Sequence, residues 1–280
     1  VTISHSIDGG EVTAIGRGVL STVWDRSWRG VAPLLWKLVF PVVVLSIWFS
    51  GTHWGWLPEQ ILPKPADVSG TLVEMLRSGE LKTHAGFSLL RVIYGFAAGA
   101  TAGFLLGAAM GLSRTVDDYV RPLFTAIAQV PALAWIPLAM LLLGIGETLK
   151  IVVIAKAAFV PVVMNTSAGI RNVSSQFIEV GETFQFNALQ KLRLVVLPGS
   201  VPSIFTGLRY GLTHAWIALV SVELVASSEG LGYLLVWGRQ MFWLDTVLVS
   251  MAVIGIAGFL TDKVLAVIER RLQRWRIDGA

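Results

Sequence analysis

Residues 88–112 read SLLRVIYGFAAGATAGFLLGAAMGL, an apolar run in which Arg91 is the lone charged side chain. A helix needs about 20 such residues to cross the hydrocarbon of a bilayer. Gly95, Gly99, Gly103, Gly107 and Gly111 recur every fourth position, so on a helix they form one continuous ridge. A ridge without side chains lets a second backbone approach closely, as at helix contacts inside membranes. Such a contact is either fixed packing or one that slides as the protein switches. Both readings make this stretch a membrane span buried against protein.

The rest of the chain agrees. Of 280 residues 54% are hydrophobic and only 14% charged, with a mean hydropathy of +0.69. Soluble domains carry about 25% charged residues, and a single core stops growing at roughly 250–300 residues, so the surplus apolar surface faces lipid. Eleven Trp and 28 Gly fit the same setting. Cysteine is absent, which excludes disulfides and thiolate metal sites. The net charge of +4 does not point to nucleic acid, because Lys and Arg gather at the ends of apolar runs.

Six stretches have span length, at about 33–50, 88–112, 120–143, 149–170, 202–226 and 246–268. A basic amphipathic pattern over 12–28 predicts a helix lying on the membrane surface before them. The expected division is a cytoplasmic segment 1–32, a membrane domain 33–270 with an inner loop near 171–200, and a basic tail 271–280. Arg17, Arg26, Arg29, Arg114, Arg121, Arg171, Lys191, Arg193, Arg270 and Arg271 fall on one side of this arrangement. The excess of positive charge makes that side cytoplasmic and places both termini there.

Two kinds of residue are candidates for mechanism. In the inner loop Phe177, Val180 and Phe184 share a helical face beside Glu182 and Gln185, and Leu197-Pro198 closes the loop. A short helix with an apolar face has a reason to sit there only if it lies on the membrane or enters a partner's groove. Within the spans, polar groups are costly and mark candidate paths: Gln129, Lys156, Asn165, Arg209 and Glu223, with Arg91 and His214. An anion would favour Lys156 and Arg209. The competing expectations are that Arg209 reaches for the interface, that Lys156 pairs with Glu223, and that His214 merely packs. Enzyme chemistry finds no support: the four His lack metal spacing, Asp117-Asp118 reads as a solvated turn, and no phosphate loop is present. An ion-driven secondary transporter would need matched broken helices and acids at mid-membrane, for which Glu223 alone is thin.

From Glu179 to Pro198 the inner loop resembles the EAA loop of the ABC importer permeases, E-A-A-x3-G-x9-I-x-L-P, with Glu179, Val195, Leu197 and Pro198 at the family spacing. Val180 and Gly181 replace the two alanines, and Gln185 stands at the family's glycine. Further stretches are similar from Ile61-Leu62-Pro63-Lys64-Pro65 through Pro131 to Leu138, Gly144-Ile145-Gly146-Glu147 and Gly169-Ile170-Arg171, to Glu223 and Gly230-Leu231-Gly232-Tyr233. They resemble the branch of aliphatic sulfonate, taurine, nitrate and bicarbonate permeases. This resemblance implies an all-α fold of type I with six transmembrane helices in a bacterial inner membrane. It implies a homodimer, two ATP-binding subunits that hold ATP and Mg, and a periplasmic substrate-binding protein. The chain itself then hydrolyses nothing and binds no cofactor. The coupling helix would run over 179–191, with Phe177, Glu179, Val180, Gly181, Glu182, Phe184, Gln185, Leu197 and Pro198 meeting the ATPase. Charge reversal at Glu179, or bulk at Gly181, is expected to uncouple it. The implied solute is a small anion, sulfonate-type first.

Overall fold

The computed structural model describes residues 39–56, 58 and 61–273. The surface helix expected within 12–28, and the tail beyond 273, lie outside the described residues. Two compact units meet at Pro65. The first contains α1, Val39–His53, a short apolar helix within the first expected span. In this unit Trp48 Nε1 donates to the Pro63 carbonyl at 3.0 Å, and Trp54 and Trp56 pack with ring centroids 5.2 Å apart.

The second unit is all helix among its described residues. After α2 (Pro65–Ser78) comes α3 (Glu80–Leu112), which begins ahead of the expected span and carries the glycine ridge. α4 (Arg114–Gln129) is capped by Ser113, whose Oγ accepts from Val116 N at 3.3 Å. The continuous span expected over 120–143 is not formed. α4 stops, a 3-10 turn occupies Ala132–Trp135, and α5 (Ile136–Leu143) leaves with a bend of 88°. Proline is the cause: Pro131 drives Val130 to an extended conformation (φ −79°, ψ 115°), as the residue before proline disfavours the helical region.

α6 (Glu147–Arg171) is the central helix. Gly95 of α3 faces its Ile154 and Gly111 faces its Ile170, so α3 and α6 run parallel. A Cβ added at Gly103 would lie 2.8 Å from the Phe159 carbonyl oxygen, and one at Gly107 2.7 Å from that of Val163. Contact this close is available only to glycine and supplies the dispersion energy that joins helices where water is absent. The inner loop then folds as α7 (Ser175–Thr183), α8 (Ala188–Lys191) and a π turn over Leu192–Val196 that runs straight into α9 (Leu197–Ala226). α9 packs antiparallel on α6, with Gly207 against Asn165 and Gly211 against Ala158. A helix the sequence reading did not anticipate, α10 (Leu231–Gln240), precedes α11 (Leu244–Leu272).

Among the described residues α3, α6 and α11 are each long and apolar enough to cross a membrane, and the two bent pairs raise the number to five. With α1 they occupy the six stretches expected. The fold is an all-α, multi-span membrane bundle.

Candidate functional site

The bend between α4 and α5 opens a cavity of about 350 Å³ against α6 and α9. Its wall includes Gln129, Val130 and Pro131 from the bend, Lys156 and Pro161 from α6, and His214 and Ile217 from α9. The break takes the Val130 carbonyl out of the helical ladder, and Lys156 Nζ donates to it. The same ammonium sits 5.6 Å from the centroid of the Trp135 ring, within range of cation–π attraction. Among the described residues no carboxylate pairs with Lys156. The cavity therefore offers a half-buried positive charge, an amide and an imidazole within apolar walls. His214, expected only to pack, belongs to this wall.

The other expected path residues lie elsewhere. Asn165 Nδ2 turns back to the Pro161 carbonyl of its own helix at 2.9 Å. Arg209 makes a two-pronged contact to Asp262 of α11, at 2.9 Å twice, with Glu269 at 3.8 Å. Its charge is thus matched by carboxylates in place.

Glu223 corrects a second expectation. It does not pair with Lys156. The two lie at different depths, since Glu223 is nine residues along α9 from the cavity residue His214, about 13 Å. Its partner is Arg91 of α3, whose Nη1 donates to it at 2.7 Å. Ser88 Oγ at 2.8 Å and the Gly232 amide at 2.8 Å complete its shell. Arg91 also grips Glu147 of α6 through two bonds of 2.7 Å and donates to the Glu229 carbonyl at 2.7 Å. A single guanidinium thus fastens α3, α6, α9 and the turn before α10. At that turn Gly230 has φ +116°, and a Cβ there would fall within the Glu223 carboxylate, while one at Gly232 would be 2.7 Å from Glu223 Cβ. The pattern Glu223…Gly230-Leu231-Gly232 is therefore one contact.

At the opposite end of α9 the loop helices form a hairpin. The single helix expected over 179–191 is divided: α7 ends at Thr183, Phe186 N returns to the Gly181 carbonyl at 2.9 Å, and Asn187 with Gln190 forms a capping box for α8. The hinge of this turn is Gln185, at φ +52°. Its left-handed backbone is what a glycine adopts without strain, which accounts for the family's glycine at this position. Phe177, Val180 and Phe184 project outward, 62%, 53% and 69% exposed. Glu179 is exposed between them, and Glu182 is held by Lys191 Nζ at 2.8 Å. Gly181 faces inward, where a Cβ would meet Phe186 at 3.3 Å and Val195 at 3.6 Å. A bulky side chain there strikes the hairpin's own interior, so it cannot serve as a clean probe of an outer surface. Leu197 and Pro198, half-buried, open α9.

A multi-span helical bundle with a lysine on the wall of a largely apolar cavity at a broken helix, and an apolar knob on a loop hairpin at one end, is the architecture of a membrane transport subunit. The comparisons agree. Residues 99–275 match the family model described as binding-protein-dependent transport system inner membrane component. A Bacillus subtilis protein that carries the name of an aliphatic sulfonates transport permease is 36% identical over 85% of this chain and 87% of its own. The taurine transport system permease protein of Escherichia coli is 35% identical, over 83% of this chain and 86% of its own. The nitrate import permease protein of a Synechocystis strain is 32% identical over 65% and 66%. Among solved structures, an inward-facing form of the MetNI methionine ABC transporter superposes with a TM-score of 0.51 at 19% identity, covering 72% of this chain and 98% of that one; at that identity it speaks for the fold alone. The chain belongs to the family of binding-protein-dependent inner membrane transport components, the permeases of type I ABC importers.

Proposed function

We propose that this permease forms the route for a small anion, of the aliphatic sulfonate class first, with taurine, nitrate or bicarbonate as the alternatives. It works as a homodimer with two ATP-hydrolysing subunits that bind ATP and Mg, fed by a periplasmic binding protein, with both its termini cytoplasmic. The observation that carries the anion reading is Lys156: a half-buried ammonium on the cavity wall whose contacts are a carbonyl and a ring face. A carboxylate partner would cancel that charge, whereas a passing sulfonate gains from it. The apolar remainder of the wall suits a short alkyl tail.

Coupling falls to the α7 knob of Phe177, Val180 and Phe184, which would seat in a groove of the ATPase. A push there has a direct line to the cavity, because α8 continues through the π turn into α9 without interruption. The ion-gradient alternative is weakened by Glu223, the acid it needs, which Arg91 and Ser88 hold in place.

The test is uptake of radiolabelled methanesulfonate and taurine by the complete transporter in vesicles. Lys156→Met should lower uptake at least tenfold while the subunits still co-purify. Undiminished uptake, or a binding protein that takes a cation or a neutral ligand, overturns the anion reading.

A further inference from the structure

Between α3, α9 and α11 runs a groove of about 520 Å³. Leu89, Ile93 and Phe96 of α3, Leu212 of α9, and Val264 and Ile268 of α11 line it. Thr261 is the one polar side chain on its wall, and that hydroxyl is already in use. It accepts from Trp216 Nε1 at 3.0 Å, with the Ala257 and Gly258 carbonyls each 2.9 Å away to take its proton. Such a wall gives water nothing to bond. Val264 and Ile268 are exposed, so the groove opens away from the bundle, and within the second unit no helix covers it. Left empty, it forfeits the dispersion contacts of its walls.

Its length fits a lipid tail. The α11 residues on the wall run from Ala257 to Ile268, about 16 Å along a helix. That is roughly half of a hydrocarbon core about 30 Å thick, the depth of one leaflet. Tails alone do not discriminate, because all are equally apolar; selection falls to the headgroup end. α11 runs antiparallel to α9, with Thr261 beside Trp216 and Glu269 beside Arg209, so its last turn lies at the same end as the loop hairpin. There Arg271 stands three positions after Ile268 and seven after Val264, in line with the groove and one turn beyond it. Arg270 and Arg271 are three and four positions beyond the exposed Val267, so they flank one patch. The nearby acids Asp262 and Glu269 are turned to Arg209, and among the described residues no carboxylate pairs with Arg270 or Arg271.

We propose that this groove holds an acyl chain of an anionic phospholipid of the cytoplasmic leaflet, whose phosphate is bound by Arg271 and Arg270. The inference rests on the permease reading for the side of the membrane, and adds a ligand site outside the solute cavity. Each cation near the cytoplasmic surface favours an anionic lipid about fivefold, so the pair supplies a preference of roughly 25-fold over a zwitterionic one. The same face of a second copy is a poor occupant. A twofold axis along the membrane normal would bring each Arg271 to the depth of its counterpart with no acid between them.

The test uses phosphatidylglycerol and phosphatidylcholine that carry the same photoreactive diazirine midway along one acyl chain. Each is added at equal mole fraction to the complete transporter in nanodiscs, and adducts are mapped by peptide mass. Relative to the rest of the chain, phosphatidylglycerol should label 89–96 and 257–268 at least tenfold more than phosphatidylcholine does. Arg270→Gln combined with Arg271→Gln should make the two lipids label these segments equally. Val264→Trp, which fills the groove from an exposed position, should remove the adducts on 89–96. Equal labelling by the two lipids in the parent overturns the anionic site, and a preference that survives the double substitution overturns the headgroup assignment. No adducts from either lipid on these segments means that a protein segment covers the groove, and adducts on 89–96 that persist in Val264→Trp place the chain elsewhere; either result refutes the proposal. Co-purification of the ATPase, read on the same samples, decides the permease reading independently: an assembled complex without lipid preference refutes the lipid site alone.

Discussion

Arg91→Met is the sharpest test of what holds the bundle together. Arg91 and Glu223 are 2% and 0% exposed at their side chains and 2.7 Å apart. Methionine nearly matches the length of arginine, so the substitution removes charge and hydrogen bonds with little change of volume. Glu223 keeps Ser88 and the Gly232 amide but loses its counter-charge in a site closed to water. Breaking a buried pair from one side costs about 3–5 kcal/mol, because the remaining charge is left uncompensated. The bonds to Glu147 add little, since that carboxylate is 55% exposed and exposed pairs contribute about 0–1 kcal/mol. At roughly 2–4 °C per kcal/mol for a chain of this size, the midpoint should fall by about 6–20 °C. The assay is thermal unfolding of the detergent-solubilised protein, followed by tryptophan fluorescence. Adding Glu223→Gln removes the stranded charge while keeping an oxygen for Ser88 and Gly232, so the double variant should regain about half of the loss or more. A single variant within 1 °C of the parent, or a double variant less stable than the single one, refutes the reasoning.

Gln185→Gly should stabilise the α7–α8 turn by about 1 kcal/mol, because it removes a Cβ from left-handed backbone; slower amide exchange confined to the hairpin is the readout, and unchanged exchange counts against it. Phe184→Asp should cut co-purification of the ATPase at least tenfold while the permease keeps its elution profile on size-exclusion chromatography, since the side chain already projects outward. Gly99→Leu should abolish the folded protein, as its Cβ would overlap the Ala155 backbone, whereas Gly70→Ala, with nothing within 4 Å, should not; equal yields of the two in a monodisperse form would remove the ridge from the account.

What could be read beforehand follows from the range of the interactions. Span positions depend on local hydropathy, and 149–170 falls within α6, Glu147–Arg171, because a charged residue stands at each end. The 120–143 stretch is bent and not straight because averaging over apolar residues hides the effect of one of its three prolines, although the dipeptide Val130-Pro131 was the signal for a break. α10 was missed because ten residues are too few for a span and too apolar for an obvious loop. Arg91 and Glu223 are 132 positions apart, and no spacing rule names a partner at that distance. Lys156 was the plausible mate only while depth along the helices was unknown. The family pattern marked position 185 as unusual, but only the backbone shows that the glycine it replaces answers to a positive φ.

The close approaches along the glycine ridge argue for the fixed-packing reading. For α3 to slide along α6 and regain its fit, it would have to move by four residues, about 6 Å, since that is the ridge's repeat. In between, side chains would have to pass carbonyls that already lie within 3 Å of where a Cβ would be at Gly103 and Gly107. Both ends of the pair are tied as well: Arg91 of α3 to Glu147 of α6 at one end, and Arg171 of α6 to the Met110 carbonyl of α3 at 2.8 Å at the other. α9 joins the same block through Gly207, Gly211 and Glu223. We infer that α3, α6 and α9 move as one slab, with the ridge as its fixed packing. Movement of this slab against the rest of the chain would then be taken up at the α4–α5 bend, where the helical ladder is already broken.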